Sequence, residues 1–173
     1  EITKKLDQGM ILYSKKFKLK KKNLLPQDYF DLYESEGKKF IKELFFKLIN
    51  EKKFLPKSFE KFYSQREYYP RQSTEINGMI NWGWGIENLI LFCNAFDKPY
   101  KGASTYFKKH KIYLKKVSIV KKTKFHPFTY GLILRESKNF KYIASNGGLI
   151  KCKCYYDNNK IIKKNFLKQG DRL

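Results

Sequence analysis

The chain has 173 residues, 42% of them hydrophobic and 17% aromatic, and a formal net charge of +22. Such a chain can pack a core and is too apolar for intrinsic disorder, while no apolar run in it is long enough to span a bilayer as a helix. The three cysteines form no Cys-x-x-Cys pair and neither histidine has a Cys or carboxylate at ligand spacing, so a metal site is not expected.

The first feature in chain order is Leu6-Asp7-Gln8-Gly9. Asp can bond its own backbone and Gly accepts positive φ, so the stretch reads as a tight turn. Met10-Ile11-Leu12-Tyr13, then Phe17 and Leu19 between lysines, read as a strand that leaves a core and becomes half-exposed. Pro26, with Asp28 and Asp31 behind it, opens a helix that runs to about Asn50. Phe30, Tyr33, Phe40, Ile41, Leu44, Phe45, Leu48 and Ile49 keep helical spacing, and Lys47, Lys52 and Lys53 suit the C-terminal end of its dipole. The wide apolar face asks for a sheet, and too few strands precede it in this chain to build one.

Residues 54–80 read as irregular, with Pro56, Pro70 and the polar run Gln72-Ser73-Thr74-Glu75 marking a linker. A second helix is predicted after Gly85, with Ile86, Leu89, Ile90, Cys93 and Phe96 as one stripe and Asp97-Lys98-Pro99 as its end. Trp82 and Trp84, flanking Gly83, are expected to pack in a core. From Ala103 the texture changes to short alternating runs divided by His110, His126-Pro127, Asn146-Gly147-Gly148 and Asp157-Asn158-Asn159. Five or six short strands at this spacing predict a small barrel. Cys152 and Cys154 alternate in one of them and share a face, which reads as two structural thiols of a reduced, cytoplasmic protein.

The charge is unevenly placed: residues 1–70 carry +7 and residues 71–173 carry +15. Only four of the 38 basic residues are arginine, namely Arg66, Arg71, Arg135 and Arg172. A Lys-rich surface serves solubility as well as phosphate binding, so charge alone leaves both a solvated face and a non-catalytic nucleic-acid-binding module open. Lys108, Lys109, Lys111, Lys115 and Lys116 cluster around one predicted strand.

Taken in order, these motifs resemble the folate-dependent formyltransferases, the family of methionyl-tRNA formyltransferase and the sugar-amine N-formyltransferases. Leu6-Asp7-Gln8-Gly9 matches the family's Leu-Asp-x-Gly turn. Tyr69-Pro70-Arg71-Gln72-Ser73-Thr74 leads to Ile80-Asn81-Trp82, where the family has Ile-Asp-Trp. Asn94-Ala95-Phe96-Asp97-Lys98-Pro99-Tyr100-Lys101-Gly102-Ala103 follows the Arg-Ala-x-x-x-Pro-x-x-Gly-Ala pattern, with Asn for Arg, and the chain closes on Gly170-Asp171-Arg172-Leu173.

The resemblance implies an α+β protein. It comprises the trailing strand and helix of a Rossmann-like formyltransferase domain (1–53), a linker with a helix (54–102) and a small OB-like C-terminal β-barrel (103–173). Asp7 would be the catalytic carboxylate, Leu6, Gln8 and Gly9 would meet the donor, formyl-tetrahydrofolate, and no metal would take part. The family's Asn-x-His pair, which precedes the Asp turn, is expected in an N-terminal portion outside this sequence, so the chain alone should be inactive. The linker points to the amine of a nucleotide-linked amino sugar as acceptor; the +15 tail is the case for initiator tRNA instead.

Overall fold

A computed structural model describes residues 10–11, 13–17, 25–50, 67–156, 161–162 and 166–173. The chain divides into two compact units, one of residues 1–22 and 30–71 and one of residues 23–29 and 72–173.

In the first unit the dominant element is α1 (Pro26–Asn50), whose opening residues belong to the second unit. It begins and ends where the proline and the apolar spacing place it. Asp28 closes its first turn, its carboxylate accepting from Leu25 N–H at 2.9 Å. Tyr13 stacks on Phe40 with ring centroids 5.1 Å apart, and Lys15 pairs with Glu43 at 2.7 Å. That contact raises the Lys15 pKa and lowers that of Glu43, chiefly through the hydrogen bond between them. No residue of α1 is buried.

The second unit is built on a five-stranded antiparallel sheet. Ahead of it stand α2 (Thr74–Asn77), a single turn in the stretch read as irregular, and α3 (Ile86–Ala95). The strands are β1 (Ala103–Phe107), β2 (His110–Lys122), β3 (Ile133–Glu136), β4 (Lys141–Ser145) and β5 (Gly148–Tyr155), in the order β1-β2-β5-β4-β3. Asn146-Gly147 makes the two-residue β4–β5 turn, with Gly147 at φ 93 as such turns require. The β1–β2 turn is Lys108-Lys109, with Lys108 at φ 54, so His110 opens β2 rather than breaking the chain before it. Register shifts at Lys115/Ser118 and Ile119/Lys121 bend β2, the longest strand.

Strand alternation sends Ile112 and Leu114 of β2, Ile143 of β4 and Ile150, Cys152 and Cys154 of β5 inward. The α3 stripe of Ile86, Leu89, Ile90, Cys93 and Phe96 is buried as one piece in that cluster. Each such large side chain contributes roughly 1.5–3 kcal/mol by leaving water. Ile162 and Leu167 add to the same core from the tail. Buried Lys141 pairs with Glu136 and donates to the Leu167 carbonyl, so its charge is compensated.

Candidate functional site

Asp7, Leu6, Gln8 and Gly9 lie outside the described residues. The later signature stretches are all described, and those from Ile80 onward lie within the second unit. Residues 78–80 pair along the free side of β1, Ser104 donating to the Gly78 carbonyl at 2.6 Å and Ile80 to that of Ser104 at 2.8 Å. The closing Gly170-Asp171-Arg172-Leu173 pairs beside β3, Gly170 N–H reaching the Ile133 carbonyl and Ile133 N–H that of Asp171, both at 2.9 Å.

Trp82 reaches both edges of the sheet. Its indole N–H donates to Thr105 Oγ1 on β1 at 3.3 Å. Its ring lies against Gly131, just ahead of β3, where a Cβ would stand 3.3 Å from Trp82 and 2.7 Å from the Leu173 carbonyl oxygen. Asn81 and Asn146 fix the loop, Asn81 Oδ1 accepting from Gly83 N–H and Asn146 donating to the Gly83 carbonyl, both at 2.9 Å.

The stretch from Asn94 to Ala103 gives the second unit a buried polar centre. Gly102 has φ 111, and a Cβ there would stand 2.6 Å from the Leu114 carbonyl oxygen. Asp97 is only 2% exposed. Its two oxygens accept from Lys98 N–H and Lys116 N–H, each at 2.7 Å, the latter at the β2 bulge where Lys116 has φ 53. Asp97 thus ties the helix end to the bent strand, a role its sequence position as a helix terminator does not reveal. Burial, with the Asp97 charge adding to it, pushes the Cys93 thiol up to about 12. Burial lowers Lys115, against the pull of Asp97, and raises Tyr155.

Beside Asp97 opens a cavity of about 560 Å³ between the start of α1, α3 and the β2 bulge. Asn94, the residue standing for the family's arginine, lines it and is itself buried.

The opposite face of the sheet is basic and aromatic. Cross-strand register aligns Arg135, Tyr142, Lys151 and Ser118 in one row and Lys153 with Lys115 in the next. Arg135 lies 3.9 Å from the centre of the Tyr142 ring, Lys151 and Lys153 both cover Phe140, and Lys115 covers Tyr155. Lys111 shares this face, away from Ile112 and Leu114, but its ammonium is held by the Glu75 carbonyl at 2.7 Å. Lys109 sits in the turn.

Alternation places Cys152 and Cys154 together as expected, with their sulfurs 3.9 Å apart inside the core. The Cys154 contact and burial raise the Cys152 thiol well above its ordinary value. Among the described residues no three His, Cys, Asp or Glu side chains are grouped to hold a metal. No described helix is long and apolar enough to cross a membrane.

A sheet with one covering helix, entered through an Ile-Asn-Trp loop and closed by a Gly-Asp-Arg-Leu edge, defines a C-terminal domain of the kind the motifs anticipate. The family model for the formyl transferase C-terminal domain matches residues 72–166, and the chain belongs to that family. Among solved structures the chain is similar in fold to a variant of HypX from Aquifex aeolicus. The TM-score is 0.61 at 13% identity, over 90% of this chain and 26% of that one. The chain therefore spans about a quarter of the length of that protein. No curated protein matches its sequence.

Proposed function

We propose that the chain is the C-terminal part of an enzyme that moves the formyl group of formyl-tetrahydrofolate to the amine of a nucleotide-linked amino sugar. The carrying observation is the family match over residues 72–166, preceded in the expected order by the Leu6–Gly9 turn and the Tyr69–Thr74 linker. That linker and the low arginine count favour the sugar amine. In this reading the exposed apolar face of α1 packs on the sheet of a Rossmann-like transfer domain. The second unit is the OB-like barrel, its two sheet edges drawn together at Trp82. Three free thiols suit a cytoplasmic setting.

The chemistry assigns Asp7 one task. When the amine attacks the formyl carbon, a C–N bond forms and the carbonyl oxygen becomes a tetrahedral oxyanion. A protonated His and an Asn amide, supplied from outside these 173 residues, stabilise that oxygen by charge-assisted hydrogen bonds. The Asp7 carboxylate keeps the His charged and relays the proton lost by the amine. Leu6, Gln8 and Gly9 are assigned to the donor by the same resemblance. Losing one oxyanion donor typically costs about 2.7–4 kcal/mol of barrier, so the chain alone, lacking both, is inactive.

Formylation by the full-length enzyme and its Asp7→Asn variant tests this. The near-isosteric change should leave the fold intact and reduce turnover at least a hundredfold; equal turnover would return Asp7 to the role of a turn residue. The 173-residue chain alone should show no transfer above the uncatalysed rate.

The second reading takes initiator tRNA as the acceptor, and the paired cations and rings on the sheet face favour it. Aromatic rings backed by cations suit stacked bases and phosphates. The same face also suits a basic module without catalysis. Changing Lys115, Lys151 and Lys153 to Gln separates these. The sugar reading expects formylation of a nucleotide-linked amine to stay nearly unchanged. A tRNA acceptor expects affinity to fall and the salt slope to become shallower by about 0.9 for each phosphate that is no longer neutralised.

A further inference from the structure

We propose that the basic, aromatic face of the sheet binds an oligo-γ-glutamate chain, the tail by which a folate donor is extended. The inference deepens the reading above and rests on formyl-tetrahydrofolate as the donor. The residues are Arg135 on β3, Lys151 and Lys153 on β5 and Lys115 on β2. With a sugar amine as acceptor, this face has no task in the transfer itself.

The four cations are held in place by rings. Arg135 lies 3.9 Å from the centre of the Tyr142 ring, Lys151 and Lys153 lie 5.6 and 5.4 Å from that of Phe140, and Lys115 lies 5.8 Å from that of Tyr155. A cation seated on a ring has given up part of its side-chain freedom before any ligand arrives, which lowers the cost of binding. Among the described residues none of the four is in an ion pair. Register sets them on a grid: Arg135 and Lys151 stand on either side of Tyr142, and Lys153 stands opposite Lys115. Neighbouring strands lie about 4.8 Å apart, and alternate residues along a strand about 6.8 Å. Burial lowers the Lys115 pKa against the pull of Asp97, and the charge of Lys98 adds to the lowering. An anion beside that ammonium relieves it.

The grid selects among anions. A γ-linked glutamate chain runs through its own side chains, so successive carboxylates stand up to about 6 Å apart, which matches the spacing of the cations. An α-linked acidic peptide advances only about 3.5 Å per residue. A nucleic-acid strand needs bare ring faces on which its bases can stack, and here Tyr142, Tyr155 and Phe140 each carry a cation. Three of the four cations are lysine, a compact point charge suited to single carboxylates, whereas bidentate phosphate recognition favours arginine.

Calorimetric titration of the 173-residue chain tests the site without any transfer reaction. The probes are γ-linked pentaglutamate, α-linked pentaglutamate and pentauridylate. The γ-linked chain is expected to bind with a sub-millimolar Kd, to weaken as salt is added, and to bind about threefold or more tightly than either competitor. The double variant Lys151→Gln, Lys153→Gln should weaken it about tenfold, since exposed ion pairs are individually small and two are lost together. Lys151→Arg with Lys153→Arg should retain it. In the full-length enzyme the KM of a pentaglutamyl donor should lie about tenfold below that of the monoglutamyl donor, and the Lys→Gln double variant should bring the two together. No saturable binding, equal binding of the α-linked peptide or of pentauridylate, or unchanged affinity in the folded Lys→Gln double variant would overturn the proposal. Turnover with equal KM for the two donors would overturn the tail site alone. No turnover with either donor would overturn the proposed transfer and, with it, the donor's tail as the occupant.

Discussion

Helices α1 and α3 carry the same kind of sequence pattern and end in opposite circumstances. In the 10-residue α3 the whole stripe from Ile86 to Cys93 is buried on the sheet. In the 25-residue α1 nothing is buried, and Tyr33 and Ile49 are 81% and 80% exposed. Periodicity reports which face of a helix is apolar; it does not report what covers that face. The consequence is energetic. Side chains of α3 contribute the transfer and packing energy of a closed core, and those of α1 have that energy still to gain.

The largest effects should therefore come from the second unit. Gly102→Ala forces a Cβ to within 2.6 Å of a carbonyl oxygen at φ 111. The strained backbone and the overpacking each cost about 1–3 kcal/mol, so denaturant titration should show a loss of about 3 kcal/mol or more. Leu89→Ala, at a fully buried position, should cost about 2–5 kcal/mol. The matched change Ile49→Ala on α1 should stay within about 0.5 kcal/mol. A comparable loss at Ile49 would break the contrast between the helices.

Much of this contrast is half-legible in the sequence. Pro26 and Asp28 set the start of α1, the stripe of α3 is readable residue by residue, and Asn146-Gly147 announces its turn through known backbone chemistry. The β1–β2 turn is not legible, because a lysine at positive φ leaves no mark in sequence and His110 looks the better breaker. Asp97 reads as a local helix end, whereas its decisive partner, Lys116 N–H, is 19 residues away. The single turn α2 is too short to carry a period. The cavity lined by Asn94 emerges only when the start of α1, α3 and β2 are placed together. Asp7, to which the proposed chemistry is assigned, lies outside the described residues, so its role rests on the resemblance.

A pH series sharpens the contrast, since buried ionisable thiols belong to the second unit alone. The Cys93 thiol is pushed from 9 up to about 12, mainly by burial. In the unfolded chain it ionises near its ordinary value. Between about pH 9 and 12 the unfolded state thus binds fewer protons than the native one, and stability falls as pH rises, by about 1.4 kcal/mol per unit. Below pH 9 this contribution is fully present and flat. Cys152, shifted in the same direction, adds to the decline. Cys93→Ala lowers stability at every pH through its cavity, but it should also make the curve between pH 9 and 12 shallower. Parallel curves for the two proteins would mean that Cys93 is not the group responsible.

The one expected gain lies in α1. Gly37 sits in the middle of that helix, and a Cβ added there would meet nothing within 4 Å. Glycine in a helix interior costs about 1 kcal/mol relative to alanine, because it loses more backbone freedom on folding. At Gly102 the missing side chain is required by φ and by the Leu114 carbonyl; at Gly37 no such requirement exists. Gly37→Ala should therefore slow hydrogen exchange of the α1 amides around it about fivefold, the equivalent of about 1 kcal/mol. Exchange in β2 and β5 should not change, because those strands open with the core and not with the helix. If Gly37→Ala instead sped exchange in α1, the glycine would be serving a close approach by another segment. The exposed face of α1 would then have to be understood as covered at that point.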